Sequence, residues 1–202
     1  MRVLGVDPGT VATGWGVVEL AGPRLQRIAG GVIRLRGPLG QRLAHLHDAI
    51  GHLLATHAPT CVSLETPFVG ENVQSAFRLG EARGAILVAA ARAGVAVHEY
   101  SPAEIKVAVV GSGRAGKQQM QTMVAKLLMW SGVLATDEAD ALGAAICHLH
   151  TQRFVAQVGV DLPPRSRRPR ADRRAWERTV VAVSADSARP VGPALRARRG
   201  RA

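Results

Sequence analysis

The sequence contains little cysteine and few aromatic residues: it has two cysteines, and Phe, Trp and Tyr together make up 3% of its 202 residues. Cys61 lies in an apolar, strand-like run and Cys147 in a helical one. Neither belongs to a CxxC pair, so we interpret both as reduced core residues of a cytoplasmic protein. The seven histidines are scattered and have no cysteine partners at zinc-finger spacing, which argues against zinc.

Long hydrophobic runs are also missing. No stretch has the length and purity of a membrane span, so no membrane partner is expected. The chain begins directly with a strand-like segment, which argues against a signal peptide. With 47% hydrophobic residues, the chain can bury one sizeable core.

Acidic residues are scarce towards the end of the chain. Residues 151–202 contain 13 arginines and 4 acidic residues, a net charge of +9, whereas the first 150 residues carry a net charge of only +2. We therefore predict a folded domain over residues 1–155 and a basic, disordered tail over residues 156–202. The positive charge favours a polyanionic partner but does not specify which one.

Hydrophobic patterning in the first 155 residues predicts three consecutive strands, followed by alternating helices and strands. The predicted strands cover residues 2–7, about 14–20, about 26–34, 61–65 and 95–99, and the predicted helices cover about 41–57, 72–93, 101–109, 118–130 and 137–154. Short turns between the first three strands indicate an antiparallel meander, and the later alternation indicates parallel strands. The expected fold class is α/β, with a mixed five-stranded sheet flanked by helices.

Carboxylates recur at the ends of predicted elements. Asp7 and Glu65 each end an apolar strand and are followed by a proline turn. Asp137 and Asp140 are spaced i and i+3, so they project from one face of a predicted helix, whereas Glu138 is rotated away from them. Each acid alone could simply cap a turn or a helix end. If all four met at one sheet edge, they would repel one another unless a hard divalent cation neutralised them.

The motifs around these acids resemble those of the RuvC family of Holliday junction endonucleases. The matching segments are VDPGT at 6–10, GWG at 14–16, LETPF at 64–68, LGEARG at 79–84, VVG at 109–111 up to Lys117, and DEADAL at 137–142. The resemblance covers residues 1 to about 154, in order and at the family's spacing. It implies a ribonuclease-H-like fold and a homodimer that nicks two strands of like polarity across four-way junction DNA.

By this resemblance, Asp7, Glu65, Asp137 and Asp140 are the catalytic, metal-binding acids. Two Mg²⁺ ions, or Mn²⁺ in their place, would share Asp7, activate the attacking water and stabilise the leaving 3′-oxygen. No Ser-His-Asp arrangement is visible in the sequence, so no covalent intermediate is expected.

The resemblance also implies residues that bind DNA. Lys106 and Lys117 match basic residues that the family uses on the DNA backbone, and Arg114 lies in the glycine-rich loop before Lys117. Phe68 matches an aromatic residue that works at the junction centre, where it would stack on an unpaired base. From position alone, the lysines could equally be surface residues and Phe68 a core residue.

Gly80 and Gly84 lie four residues apart in the long predicted helix. Small residues at this spacing allow close approach, either to the chain's own sheet or to a second copy. The family dimer uses this helical region, so the resemblance implies that both glycines belong to the dimer interface. The family also works with a branch-migration motor of the RuvA–RuvB type, for which the sequence indicates no contact surface.

Three alternatives remain open from the sequence. One is another ribonuclease-H-like nuclease that acts on RNA, of the YqgF type, against which Phe68 and the lysine-bearing loop argue. An actin-like ATPase or sugar kinase also begins with a strand-end aspartate, but it needs a longer chain and a second phosphate loop. A non-catalytic junction-binding protein would have no reason to gather four acids.

Overall fold

The computed structural model describes residues 1–66 and 73–159 of the chain. Phe68 and the predicted tail beyond residue 159 lie outside the described residues. The final helix continues to Val158, three residues past the domain boundary predicted at residue 155. Among the described residues, no helix combines the length and the apolarity that crossing a membrane requires.

A mixed five-stranded sheet forms the centre of the fold. Its strands are β1 (Arg2–Asp7), β2 (Ala12–Ala21), β3 (Arg24–Arg34), β4 (Cys61–Glu65) and β5 (Ala96–Tyr100). The order across the sheet is β3-β2-β1-β4-β5. The first three strands pair antiparallel, whereas β4 runs parallel to β1 and to β5. The mixed sheet predicted from the meander and the later alternation is therefore confirmed.

Within residues 1–66 and 73–159, five helices flank this sheet. They are α1 (Leu39–His57), α2 (Val73–Arg92), α3 (Pro102–Val110), α4 (Lys117–Leu127) and α5 (Thr136–Val158). The prediction that α4 continues to residue 130 is wrong, because Met129 adopts a left-handed backbone conformation with φ of 51°. Helix α5 extends past the predicted residue 154 to Val158, and Gly159 after it takes the left-handed conformation that favours glycine.

The two faces of the sheet are covered by different helices. Leu4 and Val6 of β1 point into a core formed with α1 and α2. Val3 points the other way, into a core formed with α3, α4 and α5. Alternate residues of one strand thus supply both cores, as the period of a β-strand requires. The described residues pack as a helix–sheet–helix sandwich.

Helix α5 lies unusually close to the sheet. A Cβ atom at Gly5 of β1 would overlap the carbonyl oxygen of Ala141, and one at Gly14 of β2 would overlap that of Asp137. Only glycine leaves room for the helix backbone at these two positions. The hydroxyl of Ser63 in β4 donates to the carbonyl oxygen of Ala144 at 2.6 Å and ties a third strand to the helix.

Candidate metal centre at the sheet edge

Two of the four predicted acids end adjacent parallel strands. Val6 of β1 lies opposite Leu64 of β4, so the next residues, Asp7 and Glu65, are neighbours at the same edge of the sheet. Both side chains are half-buried. The strand ladder fixes their backbones, while the turn that follows each strand leaves their carboxylates at the rim.

The other two acids lie on helix α5, at the same edge of the sheet. Asp137 and Asp140 lie in the first turns of α5. Asp7 pairs with Gly14 across β1 and β2, and the backbone of Asp137 rests directly on Gly14. The start of α5 therefore sits over the end of β1. We call the group formed by Asp7, Glu65, Asp137 and Asp140 the carboxylate edge.

The proximity of these acids perturbs their ionisation. Burial, followed by the negative charges of Asp140 and Asp137, raises the pKa of Asp7 to about 7. Burial, followed by the charges of Asp7 and Asp140, raises the pKa of Glu65 to about 8. Burial also raises the pKa of Asp140. The fold thus holds like charges close together in half-buried positions, where ionisation is disfavoured.

Two lysines act on the same group. Lys117, the first residue of α4, lowers the pKa values of Asp7, Glu65 and Asp140. Lys106 of α3 does so for Glu65 and Asp140. Both lysines therefore lie within electrostatic range of the carboxylate edge. Their two positive charges oppose the four carboxylates but do not balance them.

The donor set of the carboxylate edge suits a hard divalent cation. It consists of carboxylate oxygens, the ligands that Mg²⁺ and Mn²⁺ prefer. Cation binding would favour the ionised forms of Asp7 and Glu65, which burial and, after it, mutual repulsion disfavour. Metal and proton compete for the same oxygens, so binding is expected to release protons. The residues present fit such a metal.

A buried ion pair anchors the start of α5 and was not predicted from the sequence. Glu138 is 7% exposed and accepts hydrogen bonds from Arg27 Nε at 3.0 Å and Arg27 Nη2 at 2.6 Å. The Arg27 guanidinium also stacks 4.4 Å from the centre of the Trp130 ring. Arg27 lies on β3, so this pair ties the helix turn that carries the acids to the outer strand. The partners are 111 positions apart in the sequence, so no local pattern indicates the pair.

The remaining predicted residues do not join the carboxylate edge in the part of the chain that the structure describes. Arg114 is exposed in the turn before α4, and its backbone N–H donates to Ser112 Oγ at 3.4 Å. Gly80 and Gly84 lie on α2, where an added Cβ would meet no described atom within 4 Å. In this chain the two glycines do not serve packing onto the sheet. Phe68 lies outside the described residues.

Comparison with known proteins gives consistent matches over the folded part of the chain. The family model for the crossover junction endodeoxyribonuclease RuvC matches residues 3–148, a range that contains all four acids. The crossover junction endodeoxyribonuclease RuvC of Alkalilimnicola ehrlichii is 49% identical over 158 residues, covering 78% of this chain and 96% of that protein. The protein of the same name from Burkholderia thailandensis is 46% identical over 160 residues, covering 79% and 89%. The solved structure of Thermus thermophilus RuvC in complex with a Holliday junction substrate matches with a TM-score of 0.73 and 33% identity, covering 76% and 96%.

Proposed function

Because the chain belongs to the RuvC family of crossover junction endodeoxyribonucleases, we propose that it cuts junction DNA with a divalent metal held by Asp7, Glu65, Asp137 and Asp140. The family assignment makes it an endonuclease that resolves Holliday junctions in DNA recombination and repair. The observation that carries the metal assignment is the convergence of four acids from three elements at one sheet edge.

The metal proposed for this site is Mg²⁺, two ions for each active site, with Mn²⁺ as a substitute. When bound, the ions would supply Lewis-acid activation of the attacking water and stabilise charge on the leaving oxygen. Asp7 would hold the metal together with Glu65, Asp137 and Asp140, since the charges of Asp140 and Asp137 act on Asp7 and its own charge acts on Glu65. The four side chains would hold and orient the metal ions, and none of them needs to form a bond to the substrate.

Lys106 and Lys117 are proposed to guide the DNA backbone to this edge. Their ammonium groups already act on the carboxylates in the free protein. Once metal neutralises the acids, the same lysines would be available to phosphate oxygens. Arg114, exposed in the adjoining turn, is proposed to add a backbone contact. Phe68 is proposed to stack at the junction centre on the ground of the motif alone.

The protein is further proposed to act in the cytoplasm as a homodimer, because nicking two strands symmetrically requires two active sites. No described atom lies within 4 Å of a Cβ added at Gly80 or Gly84, which supports placing part of the interface on α2. A branch-migration motor of the RuvA–RuvB type is the proposed protein partner.

A junction assay tests the metal assignment directly. A synthetic four-way junction with a mobile core is incubated with the full chain in Mg²⁺, Mn²⁺ or EDTA, and nicking and gel-shift binding are measured on the same samples. We expect paired nicks that require metal, and we expect Asp140→Asn to abolish them while junction binding remains. Asp48→Asn is the matched control, because that carboxylate is 80% exposed on α1.

Other outcomes separate the alternatives. Binding and cleavage lost together in a folded Asp140→Asn protein would contradict the metal assignment. Metal-dependent cleavage of RNA with no action on the junction would favour a YqgF-type activity. Junction binding without nicks in either metal would favour a non-catalytic binding protein.

A further inference from the structure

Helix α5 and the last two strands bring together a second group of metal-binding residue types, away from the carboxylate edge. Cys61, His98 and His148 each offer a sulfur or ring nitrogen atom, and these atoms lie within 4.8 Å of one another. Cys61 begins β4, whereas Glu65 ends it. The group therefore lies towards the opposite end of that strand.

Strand register explains why the group forms. Cys61 pairs with Ala96 and Ser63 with His98, so Cys61 and His98 share one face of the sheet. Ser63 on that face bonds to the backbone of α5, which identifies it as the face that α5 covers. His148, on α5, packs against this face and is 1% exposed. The three residues come from three different elements, so their spacing in the sequence does not indicate that they meet.

His148 is the member whose surroundings point to a ligand. Its Nδ1 lies 2.8 Å from the Tyr100 hydroxyl, whereas its Nε2 is buried and has no hydrogen-bond partner among the described residues. A buried ring nitrogen without a partner costs stability. When Nδ1 carries the proton and donates it to Tyr100, Nε2 presents a lone pair. A metal-binding histidine is commonly held in this way, with an outer oxygen fixing the tautomer.

We propose that Cys61, His98 and His148 form a second metal site, one that binds Zn²⁺ and is separate from the carboxylate edge. A thiolate with two imidazoles suits a borderline-soft cation, whereas Mg²⁺ selects oxygen ligands. Three protein ligands leave a fourth position for water, and the exposed side chain of His98 provides access from solvent. This inference corrects the expectation against zinc, which rested on spacing along the chain.

Metal binding would require one local adjustment. Zn–S bonds of about 2.3 Å and Zn–N bonds of about 2.0–2.1 Å place tetrahedral ligand atoms closer together than the observed 4.8 Å limit. The rings of His98 and His148 now lie 4.4 Å apart, with 35° between their planes. Because His98 is exposed, its ring can rotate to direct a nitrogen towards the other two ligands without disturbing the core.

The site would act on the fold and not on the chemistry of cleavage. His148 lies eight residues after Asp140, which corresponds to about 12 Å along the helix axis. At that distance a bound ion cannot share ligands with the carboxylate edge. It would instead connect β4, β5 and α5, and α5 carries two of the four acids. The proposal is therefore independent of the proposed nuclease mechanism.

Cobalt substitution gives a direct test. The metal-free full chain is titrated with Co²⁺ in excess Mg²⁺, which occupies the oxygen sites, and the thiolate-to-Co²⁺ charge-transfer absorption is recorded. We expect one equivalent to produce this band and one equivalent of Zn²⁺ to remove it by displacement. Cys61→Ala should lose the band, whereas Cys147→Ala, which removes the other buried cysteine, should keep it.

A second variant keeps the test valid if Cys61→Ala fails to fold. His98→Ala changes an exposed side chain and should weaken Zn²⁺ binding at least about 10-fold, while His52→Ala, an exposed histidine on α1, should not. A Zn²⁺-induced rise in melting temperature should follow the same pattern. The proposal is overturned if the unmodified chain gives no thiolate band, if the band survives in Cys61→Ala, or if His98→Ala binds Zn²⁺ as tightly as the parent.

Discussion

Replacing Asp7 with asparagine is expected to stabilise the metal-free protein while it abolishes cleavage. The pKa of Asp7 rises from 3.8 to about 7, so the native state keeps a proton that the unfolded state has released. A group of this kind makes the free energy of unfolding fall as pH rises from about 4 to about 7. Asparagine carries no charge at any pH, so the variant avoids this loss.

The size of the effect follows from the shift. Roughly 3 pKa units correspond to about 4 kcal/mol, at about 1.36 kcal/mol per unit. Because Asp7 is only half-buried, solvent screening reduces this figure, and we expect a gain of about 2 kcal/mol at pH 8. In a chain of this size, 1 kcal/mol moves the melting temperature by about 2–4 °C, which gives an increase of about 4–8 °C.

Urea unfolding in EDTA at pH 4 and at pH 8 measures this difference, with Asp48→Asn as a control at an exposed carboxylate. The stabilisation should be present at pH 8 and nearly absent at pH 4. Added Mg²⁺ should then reverse the order, because it stabilises the parent more than the variant that lacks a metal ligand. The reasoning would be refuted if the variant's free energy of unfolding at pH 8 were equal to or lower than the parent's. It would also be refuted if the variant were equally stabilised at both pH values.

Three further predictions concern the support of the site and the tail. Gly14→Ala should displace the start of α5 and reduce both the melting temperature and cleavage, because the new Cβ overlaps a helix carbonyl. The control Gly51→Ala, at an open position of α1, should instead stabilise the protein by up to about 1 kcal/mol. Glu138→Ala should lower the free energy of unfolding by about 1.5–3 kcal/mol, since it leaves the half-buried Arg27 without its carboxylate partner, and Glu138→Gln should recover part of that loss in urea titrations. A chain that ends at residue 159 should bind duplex DNA more weakly and with a flatter salt dependence than the full chain, and equal salt slopes for both chains in fluorescence titrations would dismiss a role for the tail.

The sequence was sufficient for the parts of the fold that local periodicity controls. Alternation and turn residues predicted all five strands and placed Asp7 and Glu65 at the ends of two of them, which the structure shows to be adjacent. The i, i+3 spacing of Asp137 and Asp140 predicted that one helix face would carry both. These inferences succeed because neighbouring residues alone decide them.

Contacts between distant segments could not be predicted in the same way. The Arg27–Glu138 pair joins residues 111 apart, and neither residue shows any pattern that marks the other. No local pattern links Cys61 to His148 either, although the fold places them side by side. The end of α4 was misjudged because a backbone reversal at Met129 interrupts a sequence that otherwise favours helix.

The contact of α5 with Gly5 and Gly14 has a consequence for the choice of ion. The separation between the acids on the strands and those on the helix is a distance between two main chains, with no side chain between them that could rotate to widen it. Mg²⁺ requires ligands at about 2.0–2.1 Å, whereas Ca²⁺ requires about 2.3–2.6 Å and more of them. A larger ion would have to be accommodated by turning the carboxylate side chains themselves. Selectivity for small divalent ions would then originate in two glycines that never touch the metal.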